Sequence, residues 1–141
     1  MKNYKLLMLS IVLQLLLSGC NIKQNIKPAS TLSVKEICIV NNPPVRLGFL
    51  TAYTKELHKK GYRTKLLVEN SPLNSCKVVS TYMGRWSWDM ALYLAYADIK
   101  VYQNAQLVGS AVYDSRSGSA NMSKFIKGDE KISELTNQLF P

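Results

Sequence analysis

Apolar residues fall along this chain in three spacings, and each asks for a different element. From Leu6 to Leu17 only Ser10 and Gln14 are polar. A run of that length is too short to cross a bilayer as a helix, which takes about 20 residues. Asn21 to Val34 has no apolar period and carries Pro28 among Asn, Lys, Ser and Thr. That composition predicts a flexible tether with a span on the order of 20 Å.

The β-branched run Glu36-Ile-Cys-Ile-Val40 predicts a first strand. Asn41-Asn42-Pro43-Pro44 stops it, with Asn placed to cap the helix that follows. Val45, Phe49, Tyr53 and Leu57 then recur every four residues with Leu50 beside them, while Arg46, Lys55, Glu56, Lys59 and Lys60 fall off the stripe. This is an amphipathic helix, and Gly61 after a basic last turn ends it. Tyr62 to Val68 is a second strand.

Between Lys77 and Tyr113 the spacing becomes two. Val79, Thr81, Met83 and Arg85 alternate with Ser80, Tyr82, Gly84, Trp86 and Trp88. Tyr93, Ala95, Ala97, Ile99 and Val101 alternate with Leu92, Leu94, Tyr96, Asp98, Lys100 and Tyr102, and Gln103-Asn104-Ala105 turns into Leu107 to Asp114. Such segments joined by tight turns read as hairpins. Beyond the Ser/Gly loop from Ser115 to Ser119, Ile132, Leu135 and Leu139 mark a final helix with Phe140 beside them. The order predicts an α+β fold. It is a two-layer sandwich in which a mixed, mostly antiparallel sheet of about five strands carries two helices on one face. Its first two strands are parallel through a right-handed crossover.

The apolar run near the start has a specific context. Lys2 and Lys5 precede it and Ser18-Gly19-Cys20 follow. A basic segment, an apolar segment and small residues before a cleavage point make an export signal. Cys directly after the small pair resembles the lipobox of bacterial lipoproteins, in which that thiol is diacylated, the signal is cleaved and the freed amine is acylated. The resemblance implies lipidation at Cys20, palmitate among the acyl chains. Asn rather than Asp at position 21 implies the outer membrane, facing the periplasm. The divisions are then a signal peptide over 1–19, a lipidated Cys and tether over 20–34, and a single domain over 35–141.

Composition adds compartment and charge. Without residues 1–19 the chain keeps 16 Lys and Arg against 9 acids, a formal charge of +7. That favours anionic surfaces, which in an envelope are head groups and polysaccharide phosphates rather than nucleic acid. Cys38 and Cys76 remain once Cys20 is lipidated, and one even pair in an exported chain predicts a disulfide between them. No Cys-x-x-Cys, Gly-x-Gly-x-x-Gly or Gly-Lys-Ser/Thr is present, and His58 is the only histidine. No cofactor and no metal is implied.

The most distinctive segment is Arg85-Trp86-Ser87-Trp88-Asp89. Trp86 and Trp88 share one face of a strand, so they are expected to be buried together or exposed together. Exposed beside Tyr96 and Tyr102, with Arg85, they would form a stacking platform for a sugar or an aromatic hot spot for a protein. Buried, they are core, which is the preferred reading for at least one ring. Asp98, Asp114 and Arg116 are expected to make a solvated sheet edge, the alternative being a second, polar patch on the adjoining strands.

Several segments together resemble small, uncharacterised lipoproteins of Gram-negative bacteria: Cys38-Ile-Val-Asn41, Lys60-Gly-Tyr62, Arg85-Trp-Ser-Trp-Asp89, Leu92-Tyr-Leu-Ala-Tyr-Ala97, Val108-Gly-Ser-Ala-Val-Tyr-Asp114 and Leu139-Phe-Pro141. The element order is also similar to the amino-terminal domain of the envelope protein TolB. The expectation is a non-enzymatic, lipid-anchored envelope lipoprotein that acts as a binding or structural module on an envelope protein or a cell-wall component. The alternatives are a small inhibitor or immunity-like lipoprotein, and a hydrolase or transferase built on surface carboxylates.

Overall fold

The computed structural model describes residues 21–141; the expected signal segment and the expected lipidation site Cys20 lie outside the described residues. Nine elements follow in order: β1 (Lys23–Lys27), β2 (Glu36–Val40), α1 (Leu47–Lys59), β3 (Arg63–Leu67), β4 (Val78–Asp89), β5 (Ala91–Gln103), β6 (Gln106–Asp114), a single 3-10 turn (Met122–Phe125) and α2 (Gly128–Leu139). The strands form one sheet in the order β1-β6-β5-β4-β2-β3. β2 is parallel to both β3 and β4, and the other neighbours are antiparallel. The fold is therefore the expected α+β two-layer sandwich, with six strands rather than five.

The sixth strand comes from the expected tether. Lys23–Lys27 pairs antiparallel with β6, Lys23 opposite Asp114 and Lys27 opposite Ser110. Beyond it Ala29 is buried, and its N–H donates to the Leu139 carbonyl at 2.8 Å. Gly109 makes this docking possible, because a Cβ there would stand 2.6 Å from the Ala29 Cβ. The tether reading over 20–34 is corrected accordingly. Backbone pairing along an open sheet edge needs little apolar side chain, so the strand leaves almost no hydrophobic pattern.

The two helices supply the other layer. Phe49, Tyr53 and Leu57 of α1 and Ile132, Leu135 and Leu139 of α2 are fully buried against Ile37, Ile39, Val78, Ile99 and Ala111 of the sheet. Burying a side chain of this size contributes roughly 1.5 to 3 kcal/mol, so these stripes hold the layers together. Glu56 joins the helices to each other, accepting from Asn137 Nδ2 at 2.8 Å and from Lys59 Nζ at 3.0 Å. The Asn cap expected for α1 is not made. Asn42 donates instead from Nδ2 to the Tyr82 carbonyl at 2.9 Å, and α1 begins after Arg46 without a side-chain cap. Prolines at 43 and 44 move the helix start beyond reach of either Asn. At the other end, Gly61 takes φ +82° as a helix-terminating glycine. Asn104 and Ala105, both at positive φ, make the tight β5–β6 turn.

Cys38 of β2 and Cys76, just before β4, are joined by a disulfide with Cα atoms 6.2 Å apart. Cys38 points to the sheet face away from the helices, so the bridge fastens the 68–77 loop across that face.

Candidate functional site

The β4–β5 hairpin is the longest element pair in the sheet and reaches past the ends of both helices. Its register puts Gly84 opposite Ala97 and Trp86 opposite Leu94, with a bulge that leaves Ala95 between them. The bulge brings Leu94 and Ala97 to the same, helix-facing side, which a strict period of two would forbid. Ser115 serves the bulge: its Oγ donates to the Leu94 carbonyl at 2.9 Å and its N–H to Ala95 at 2.9 Å. Nothing in the Ser/Gly composition of that loop singled out Ser115.

Trp86 and Trp88 do lie on one face, but they do not share one fate. Trp86 is half-buried, edge-on to Phe49 with ring centroids 6.3 Å apart, and Arg46 lies 5.7 Å over its ring. Gly84 leaves room for this packing, since a Cβ there would meet Phe49 Cδ2 at 2.7 Å. Trp88, two residues on, is 72 % exposed. The expectation that the rings are buried or exposed together is corrected: α1 begins over Trp86, and the hairpin continues past it without cover. Trp86, Trp88, Leu92, Arg46 and Pro44 line an open groove of about 480 Å³ there.

The proposed aromatic platform is not assembled on one surface. Tyr96 pairs with Arg85 and Tyr102 with Val79, which places Arg85, Tyr96 and Tyr102 on the face opposite the two tryptophans. On that face the Arg116 guanidinium covers Tyr96 at 4.8 Å and pairs with Asp114 at 2.6 Å. The hydrogen bond from Arg116 holds the Asp114 carboxyl below its ordinary range. Asp98 pairs with Lys100 at 3.2 Å, a contact that raises the Lys100 pKa, while the other Asp98 oxygen is buried without a partner. Each of these acids is tied to its own cation. Two adjacent carboxylates poised as acid and base are not formed by them. His58 is exposed and bonded to Thr64 Oγ1 at 2.8 Å.

The far end of the hairpin carries features with no sequence signal. Met90 stands at the tip in a left-handed conformation, φ 59°, and is 88 % exposed. Lys124 is 3 % exposed: its ammonium contacts Asp89 at 2.5 Å and the Ser119 carbonyl at 2.6 Å, and lies over the Tyr93 and Phe125 rings. This lysine clamps the 3-10 turn, whose first residue Met122 is 74 % exposed, against the hairpin tip. Among the described residues no three metal-ligating side chains cluster, and no helix is long and apolar enough to cross a membrane.

The fold and this end together define a small α+β sandwich with an uncovered apolar hairpin tip. No family model matches the chain, and no curated protein matches it. Among solved structures, the PelC dodecamer from Paraburkholderia phytofirmans is similar, with a TM-score of 0.53 and 13 % identity over 86 % of this chain and 99 % of that one. A single-substitution variant of the PelC dodecamer from the same organism is similar at a TM-score of 0.50 with the same identity and coverage. At this identity the likeness is one of fold.

Proposed function

We propose that the chain is a lipid-anchored envelope lipoprotein, facing the periplasm from the outer membrane, that works as a binding or structural module and not as an enzyme. The observation that carries the reading is the signal ending Leu17-Ser18-Gly19-Cys20 immediately ahead of a folded domain whose first strand starts at Lys23. The pairing of Asp98, Asp114 and Glu56 with cations supports a module without carboxylate catalysis. The test is metabolic labelling with a palmitate analogue. Label should enter the wild-type chain and not Cys20→Ser, and the labelled protein should fractionate with the outer membrane. Equal labelling of both proteins removes the anchor and the location with it. Because the two similar solved structures are dodecamers, light scattering on the same detergent extract tells a monomeric module from an assembled one.

A further inference from the structure

Four of the nine large apolar side chains exposed among the described residues belong to one end of the hairpin: Trp88, Met90 and Leu92 on its tip and Met122 on the turn clamped to it. Met90 occupies a backbone conformation that Gly or Asn adopts with less strain. A thioether at the most projecting position of a hairpin points to a contact that uses it.

The chain leaves the domain toward Cys20 at this same end. Lys23, Asp114, Tyr96 and Arg85 form one row across β1, β6, β5 and β4. From that row the hairpin runs on by Trp86, Ser87, Trp88 and Asp89, about 13 Å at the rise of a strand. Cys20 stands three residues before Lys23 in the sequence and so lies at most about 10 Å from it. Three strand spacings, about 14 Å, separate β1 from β4. An acyl chain carried at Cys20 would therefore be tethered within about 10 Å of the row from which the tip projects. Ile22 strengthens this, since it packs against the Gly118 loop.

We propose that the β4–β5 tip is a membrane seat: Trp88, Met90, Leu92 and Met122 lodge in the head-group region of the bilayer that holds the Cys20 lipid. The inference rests on the lipid-anchor reading and adds the orientation of the domain. A bilayer is favoured over a protein partner because only a bilayer requires anchor and tip to meet the same plane. Trp suits that depth, with an apolar ring and one N–H donor. Lys23 and Arg85, exposed on the row behind the tip and in no ion pair among the described residues, are placed to meet lipid phosphates.

The experiment uses the full lipidated protein, wild type and Trp88→Phe, reconstituted into phosphatidylethanolamine–phosphatidylglycerol vesicles with and without brominated acyl chains. Palmitate labelling is checked on the same preparations. In wild type, bromine should remove the larger part of the Trp88 emission, read as the difference from Trp88→Phe, and the remaining Trp86 emission should change little. Label without bromine quenching overturns the seat and leaves the anchor standing. Equal quenching in both proteins overturns it too, since Trp86 and not the tip would then face lipid. Protection of Trp88 from iodide without bromine quenching overturns the seat and assigns the tip to a contact between copies of this chain. Absence of label fails the anchor reading, and the seat falls with it.

Discussion

Opening the Cys38–Cys76 bridge tests how the sheet is held at its parallel side. The perturbation is reduction of the folded protein, matched by the Cys38→Ala/Cys76→Ala double variant. The bridge closes a loop with a sequence separation of 38. Loop entropy returned to the unfolded chain at that length corresponds to about 4 kcal/mol. The closed segment contains α1, β3 and the whole parallel crossover, so the unfolded chain regains freedom over the part of the fold with the longest connections. For a domain of this size each kcal/mol moves the melting temperature by roughly 4 °C, and the expected fall is about 15 °C.

The assay is thermal unfolding followed by far-ultraviolet circular dichroism, with and without reductant. The double variant should melt near the reduced wild type, because the two share an open loop and differ only by two thiols, that of Cys38 buried and that of Cys76 half-buried. A fall of less than about 3 °C would refute the entropic account. It would mean that the unfolded chain keeps β2 and the 68–77 loop together without the bond.

Two further outcomes follow from the site. Trp86→Ala should cost about 2 to 3 kcal/mol in urea unfolding through the cavity left beside Phe49, while Trp88→Ala should stay within about 0.5 kcal/mol; equal losses would show that the tip is packed in solution. Glu56→Gln keeps the acceptor for Asn137 and removes the charge facing Lys59. The hydrogen bonds from Lys59 and Asn137 hold the Glu56 carboxyl below its ordinary range in the folded state, so its stabilisation is present above the unfolded carboxylate pKa of about 4.3 and is lost as pH falls through the folded value. The stability gap between wild type and variant should therefore close in acid, and a gap constant from neutral to acid pH would show that charge plays no part.

What was legible before folding, and what was not, divides along a physical line. Phe49-Tyr53-Leu57 and Ile132-Leu135-Leu139 were readable because each stripe is buried by the helix that carries it, while Val45 is buried in the bend just ahead of α1. The hairpins were readable for the same reason, one face at a time. Lys23-Gln-Asn-Ile-Lys27 was not, since an edge strand is held by backbone pairing and Ile26 is its single apolar residue. Lys and polar side chains on such an edge also discourage pairing with other chains, so the features that protect the strand are those that disguise it as linker. The bulge at Ala95 hid the change of face between Leu94 and Ala97. Lys124 reads as a surface lysine in sequence and is buried because Asp89, from 35 residues away, pairs with it beside the Tyr93 and Phe125 rings.

The same division accounts for the candidate site. That Trp86 and Trp88 share a face follows from strand periodicity and was visible in the spacing. Whether a ring on that face is core or surface depends on where a helix elsewhere in the chain begins, and the first turn of α1 covers Trp86 while Trp88 stays exposed. The consequence for function runs through β1. A flexible tether would have let the domain tumble above the membrane, so that any exposed patch could serve any partner. A strand beginning at Lys23 leaves no such freedom under the lipid-anchor proposal, and turns the exposed tip from one surface among several into the one held nearest the bilayer.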